Sequence, residues 1–453
     1  MRRSFLDHYA RFWVIALGVC FLLVIRFLGI PVILENFDLS SPQIELLAQA
    51  ASAQSSGELL GHNPSSFLWG AAVLALALAG IPLINRATLS FPKSIFLPAL
   101  IWILCVGLST LQTLDRQLSL PTAFHLFLCL VSFLAGYLIL RGSFENQRPF
   151  LWILGAALLP VLLAAFQQHY SGLEAMRQNV FSLVPPENLP EDLLRRLNSK
   201  RVYGTLVYPN SLAGLLLLLL PPCLCALWEL PARVPRLLRL LLVVTLGYMG
   251  LAALFWSGSK TAWLISVFLA IITLFIQTRF SLRYKILAAG LILCSGLILF
   301  GIVFADYFKR GATSVGARFD YWRAAALNIR ANPLLGSGPG TFAIPYQESK
   351  NPESEMARLC HNDYLEQATD SGIVAALAYL AFIGGSFWRI WRRAGELSPL
   401  QFCLALGLSG FALQGFSDFS LYIPAIAWPF FLLLGASLSP PASNNISVRE
   451  STP

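Results

Sequence analysis

Apolar stretches of about twenty residues recur from one end of the chain to the other, and a bilayer-crossing helix needs that length. Runs such as Ala71 to Ile81, Leu215 to Leu220 and Phe268 to Ile276 are too many to share one water-soluble core. Charged residues make up only 12% of the 453, whereas soluble domains carry roughly 25%. The chain therefore reads as a polytopic membrane protein, all-α, because a spanning segment must satisfy its own backbone groups within the bilayer.

Twelve spans are expected, near residues 12–34, 66–85, 94–112, 121–140, 149–168, 208–230, 237–256, 260–278, 285–305, 372–388, 398–414 and 419–438. The first apolar stretch lacks a prompt small-residue cleavage site, so it reads as a retained span. Internal prolines (Pro160, Pro221, Pro222, Pro424) are tolerable because neighbouring helices re-satisfy the freed backbone groups. Residues 1–438 form one membrane domain in this reading, with long outer loops at 169–207 and 306–371. The Ser/Pro/Asn-rich 439–453 reads as a disordered cytoplasmic tail.

Orientation follows from the basic residues of the short connections. With the N-terminus inside, Arg2, Arg3, Arg11, Arg233, Arg236, Arg239, Arg389, Arg392 and Arg393 all fall on the inner side. The short outer connections hold only Arg116 and Lys260. Both termini are thus expected to be cytoplasmic. Further inner-side cations are Arg86, Lys93, Arg141, Arg148, Arg279, Arg283, Lys285 and Arg449. The two long outer loops carry the other outer cations, among them Arg195, Arg196, Lys200 and Arg201 in one and Lys309, Arg310, Arg318, Arg323 and Arg330 in the other. Two cationic patches on one membrane face point to a bound anion. The formal charge of +9 does not suggest nucleic acid, since the cations are not arranged in a basic stripe interleaved with aromatics.

Metal and redox chemistry have little footing. The histidines (His8, His62, His125, His169 and His361) are scattered, without HExxH spacing or a carboxylate cluster. Cys20, Cys105, Cys129, Cys294 and Cys403 lie inside apolar stretches and read as small packing residues. Cys223 and Cys225 fall on different faces of a helix. Neither a metal nor another cofactor is expected.

Four polar segments sit at the expected outer face. They are Arg201-Val-Tyr-Gly-Thr-Leu-Val-Tyr-Pro-Asn-Ser-Leu-Ala213, Ser257-Gly-Ser-Lys-Thr-Ala262, Arg318-Phe-Asp-Tyr-Trp322 with Asn332-Pro-Leu-Leu-Gly-Ser-Gly-Pro-Gly-Thr-Phe342, and His361-Asn-Asp-Tyr-Leu-Glu366. In this order they resemble the O-antigen ligase and polymerase superfamily of bacterial envelope glycosyltransferases. The likeness covers roughly Arg201 to Ile373, while the first five spans match only as generic apolar helices. Lys260 stands where many relatives have arginine, and Asp370 is separated from Gly372 by one residue where an acid followed directly by glycine is usual.

The resemblance implies a GT-C-like helix bundle with a helical periplasmic loop, placed in a bacterial inner membrane with the active site periplasmic. It implies a metal-independent transferase that moves a glycan from a polyprenyl (undecaprenyl) diphosphate carrier to an acceptor hydroxyl on lipid A–core, another glycan or a protein. Arg201, Arg318 and His361 fall on the family's catalytic positions. Lys260, Asn210, Tyr203, Trp322, Asn362 and Glu366 are the expected substrate-binding residues.

The chemistry agrees with these residue types. Arginine's planar fork binds phosphate oxygens bidentately, and a histidine can accept a proton from a hydroxyl nucleophile. Plainer readings stand beside these: Arg201 as an interfacial anchor, Arg318 bridged to Asp320, His361 solvated in its loop, and Lys260 marking the interface. Gly336-Ser-Gly-Pro-Gly340 lacks the Lys-Ser/Thr of a P-loop and reads as a turn. Glu366 and Asp370 read equally as orienting groups for His361 or as solvated helix positions. Asp418 and Arg26 are weaker candidates, each needing a partner near the membrane. A repeat-unit polymerase or a protein glycosyltransferase would share the same site. A secondary transporter is the rival of another class, but it would place its polar residues near the bilayer midplane within repeated halves.

Overall fold

Helices occupy the apolar stretches and leave the polar motifs at their ends. The computed structural model describes residues 2–34, 66–84, 91–140, 144–189, 191–305, 313–351 and 354–438, and no strand occurs among them. Lys309, Arg310 and the expected tail at 439–453 lie outside the described residues. The helices are α1 (Arg2–Phe27), α2 (Ser66–Ala79), α3 (Lys93–Leu111), α4 (Arg116–Ala135), α5 (Phe144–Gln167), α6 (Leu173–Leu183), α7 (Glu191–Leu197) and α8 (Pro209–Trp228). They continue as α9 (Arg236–Trp256), α10 (Lys260–Gln277), α11 (Leu282–Val303), α12 (Thr313–Ala331), α13 (Ala343–Ser349), α14 (Asp363–Trp391), α15 (Pro399–Gln414) and α16 (Pro424–Ser437).

Among the described residues ten helical segments are long and apolar enough to cross a membrane, and α15 and α16 are shorter apolar helices. The twelve expected spans thus divide into ten of full length and two short ones. At 1.5 Å per residue, helices of 16 and 14 residues extend only about 21–24 Å, less than a hydrocarbon core of about 30 Å. Their surroundings are protein: every residue from Pro424 to Ala436 is buried. At the other extreme α11 has no buried residue, as expected of a helix that faces lipid.

Two boundaries differ from the sequence expectation. α5 does not stop near 168 but passes through a π-helical turn (Gln168–Gly172) into α6. α14 starts at Asp363 rather than near 372. Asn362 caps it, its Oδ1 accepting from the N–H groups of Tyr364 and Leu365. The polar run 363–371 looks like loop in sequence, yet it is helical and packed inside protein up to a break at Gly372 (φ 87°, ψ 170°).

That break is filled by the glycine-rich turn. Ser337 N–H donates to Thr369 O, Gly338 N–H to Asp370 O, and Ile373 N–H to Pro333 O. Gly340 N–H donates to Asp370 Oδ2 at 2.8 Å. A Cβ on Gly372 would lie 2.1 Å from Leu334 O, so only glycine permits this approach. The N–H groups of Ser337, Gly338 and Gly340 are spent on α14 and that of Gly336 on Asn332 O, which makes Gly336–Gly340 a structural turn and not a phosphate cradle.

Antiparallel succession brings one set of helix ends together, and backbone hydrogen bonds tie them. Val207 N–H donates to Gly29 O, Val202 to Trp256 O, Leu114 to Ser337 O, Asp363 to Gly415 O and Ala425 to Leu28 O. All four polar motifs converge at this end. Arg26 belongs here too, in the last turn of α1 with its guanidinium 5.8 Å from the Phe27 ring, rather than deep in a span.

Candidate active site

Arg201 sits in the extended segment ahead of α8, and its geometry is set from two sides. Its Nε donates to Ser257 O at 2.7 Å, and its Nη2 donates to Asn210 Oδ1 at 2.7 Å. Gly258 (φ 60°) lets the turn after α9 close on it, since a Cβ there would meet Arg201 Nε at 3.2 Å. Gln168 clasps the same segment: its Oε1 accepts from Tyr203 and Gly204 N–H, and its Nε2 donates to Gly204 O. Tyr203 points to the α6 side, its hydroxyl 3.7 Å from Met176 Sδ. Asn210 and Tyr203 therefore act here as supports of the Arg201 segment.

Burial pulls the Arg201 guanidinium below its ordinary pKa. The Asp418 charge opposes this and the Arg318 charge adds to it. Both side chains are thus close enough to act on Arg201. Arg318 lies on the first half of α12, half-buried. The plain alternative of a bridge to Asp320 is not what forms, since Asp320 accepts from Asn351 Nδ2 and Ser354 Oγ. Arg318 makes no salt bridge or hydrogen bond to a protein group among the described residues. Lys260, the first residue of α10, is within electrostatic reach of Arg201 and Arg318, and its Nζ lies 5.2 Å from the Phe304 ring centre. Trp322, one turn after Arg318, packs against a small second core of Tyr321, Phe342, Tyr346 and Cys360. Its buried Nε1 has no hydrogen-bond partner among the described residues.

His361 completes the group. It is the one non-glycine with positive φ (55°) among the described residues, a conformation that costs about 1 kcal/mol or more and marks functional turns. Its imidazole lies between Tyr321 (ring centroids 5.5 Å, near-parallel) and Phe419 (4.7 Å, edge-on). Its Nδ1 faces Asp418 Oδ1 at 3.7 Å, with Asp418 only 2% exposed and His361 29%. Asn362 and Glu366 stand behind the turn. Asn362 Nδ2 donates to Phe416 O, and the fully buried Glu366 accepts from Cys360 N–H. Asp363 accepts from Leu421 N–H with both carboxylate oxygens. The turn carrying His361 and the connection carrying Asp418 are consequently one interlocked unit.

Asp370 does not reach the His361 ring. It sits two turns down α14, accepting from Tyr422 Oη and Gly340 N. Sequence reasoning undervalued Asp418, whose partners come from a segment far away in the chain. It did not single out Tyr321, Phe419 or Arg358. The half-buried Arg358 lies three residues before His361, its pKa lowered by burial and raised by nearby Tyr208. Among the described residues no three His, Cys, Asp or Glu side chains cluster as a metal site.

These features define a multi-pass, all-α membrane protein with a cation-rich polar site at one end of the bundle. Residues 245–380 match the family model for O-antigen ligase, which supports the O-antigen ligase and polymerase superfamily and its glycosyltransferase-type chemistry. The match takes in Lys260, Arg318, Trp322, His361, Asn362 and Glu366, while Arg201, Tyr203, Asn210 and Asp418 lie outside it. No curated protein matches the chain.

Proposed function

We propose that the protein is an O-antigen-ligase-type transferase that moves a glycan from a polyprenyl diphosphate carrier to an acceptor hydroxyl, without a metal, at the periplasmic face of a bacterial inner membrane. The observation that carries this reading is the convergence of Arg201, Arg318 and Lys260 beside the His361–Asp418 pair. Three cations suit a diphosphate, and an imidazole backed by a carboxylate suits a hydroxyl that must lose its proton.

In the step proposed, the acceptor oxygen attacks the anomeric carbon as the bond from that carbon to the diphosphate oxygen breaks. The electron pair leaves with the carrier diphosphate, whose growing charge Arg318, Arg201 and Lys260 stabilise electrostatically. The hydroxyl proton passes to His361, with Nδ1 turned to Asp418 and Nε2 left for the acceptor. Direct displacement inverts the sugar carbon. Such general-base help is worth about 10² to 10⁴ in rate.

Purified protein in lipid, given a labelled polyprenyl-diphosphate glycan, tests this. Lipid A–core, a second lipid-linked glycan and a peptide serve as acceptors, with chelator present. Transfer to one acceptor, lost in Arg318→Ala and His361→Ala, supports the reading, and the acceptor used separates ligase from polymerase and protein glycosyltransferase. Full activity in His361→Ala would sink the base assignment.

A further inference from the structure

Glu355 lies in the outer segment before His361 and belongs to none of the motifs. Its Oε1 accepts from Tyr321 Oη at 2.9 Å, and its Oε2 lies 3.5 Å from Arg195 Nη1 on α7. Its backbone carbonyl accepts from Tyr346 Oη at 2.9 Å. Tyr321 in turn presents its ring to the His361 imidazole. One carboxylate thus touches both outer segments: the one leading to Arg201 and the one carrying Arg318 and His361.

We infer that Glu355 is a positioning residue for His361, fixing the Tyr321 ring on which the imidazole rests while yoking the Arg195 segment to the same point. The inference rests on the base role proposed for His361 and deepens it. The two arms differ in weight. Arg195 and Glu355 are 62% and 44% exposed, and exposed ion pairs contribute little. Tyr321 is 4% exposed, so its hydroxyl depends on the partner it has. Burial, then the Glu355 charge and hydrogen bond, raise the Tyr321 phenol well above the ordinary tyrosine range, so it remains a donor to Glu355. A phenol so held leaves the ring one orientation, near-parallel to the imidazole. Phe419 meets the imidazole edge-on at 4.7 Å, and the ring held by these two contacts has its Nδ1 toward Asp418.

The inference predicts that Glu355→Ala and Tyr321→Phe each lower kcat by up to about 10²-fold, the loss that a misplacement of about 1 Å can cause. The donor KM should stay nearly unchanged. Glu355→Gln, which keeps an acceptor for the phenol, should restore most of the rate. The double variant Glu355→Ala/Tyr321→Phe should be no slower than either single one, because both remove one and the same bond. His361 should also react faster with diethyl pyrocarbonate in Glu355→Ala, read by mass spectrometry. Wild-type kcat in Glu355→Ala, or losses that multiply in the double variant, overturns the inference. If His361→Ala proves active, the base reading fails. If His361→Ala is inactive while its modification rate is unchanged in Glu355→Ala, the positioning role alone fails.

Discussion

His361 Nδ1 and Asp418 Oδ1 stand 3.7 Å apart, one on the turn before α14 and the other on the connection between α15 and α16. Among the described residues neither atom has a hydrogen-bond partner. The pair is poised: a proton arriving on the imidazole would turn a long contact into a charge-assisted one. Asp418→Asn keeps the shape and removes the charge. Its expected effect is a fall in kcat of about 10²-fold, within the range of general-base assistance, with a smaller change in donor KM. Steady-state transfer kinetics check this, and equal kcat in the two proteins would refute it.

The two arginines are expected to fail differently. Arg201 is tied into the fold by the buried Ser257 O and the half-buried Asn210 Oδ1, so Arg201→Ala removes the donor of both at a cost of about 1–3 kcal/mol. Arg318 has no such ties. Arg318→Ala should keep the melting temperature of the wild type and lose donor binding, whereas Arg201→Ala should lose both. Thermal unfolding in detergent beside a binding assay with labelled lipid-linked donor separates them.

Gly372→Ala should be among the most damaging substitutions of an uncharged residue. The residue holds φ 87°, and a Cβ would lie 2.1 Å from Leu334 O. Strain and overpacking together cost about 2–4 kcal/mol. The turn 333–340 would then detach from α14, and a lower yield of folded protein on size-exclusion chromatography is the readout. Gly384→Ala, where a Cβ would meet open space, is the control and should behave as wild type.

Asn362→Ala removes the cap of α14 and the tie to Phe416 O. Loss of such a cap costs about 1 kcal/mol. Because the neighbouring residue is His361, kcat should fall more than the small stability loss accounts for. Asn362→Asp, which can still cap, should recover stability but not the Phe416 tie, and comparing unfolding with kcat in the two variants tests this.

Cys360 should resist alkylation in the folded protein. Burial, and then the nearby Glu366 charge, push its thiol well above the ordinary range, so the reactive thiolate is suppressed at neutral and mildly alkaline pH. Maleimide labelling of Cys360 should therefore appear only on unfolding. Fast labelling of Cys360 itself in the native protein near pH 8, located by peptide mass spectrometry, would contradict the packing around His361.

Most of the helix bundle was written in the sequence, because a membrane span is a local property: about twenty apolar residues in a row suffice to specify it. Arg201, Arg318 and His361 stood out as candidates because each heads a short polar motif between apolar stretches. Local pattern failed where the environment was protein rather than lipid. The stretch 363–371 reads as polar loop but is buried helix, since Gln367, Asp370 and Asp363 find partners in Trp102, Tyr422 and Leu421 from other elements. α15 and α16 read as full spans but are short, because protein surrounds them. Nothing in the sequence pairs His361 with Asp418 or Glu355 with Tyr321. Those contacts join distant segments, and only the packed bundle, by bringing one set of helix ends into register, decides which polar side chains meet.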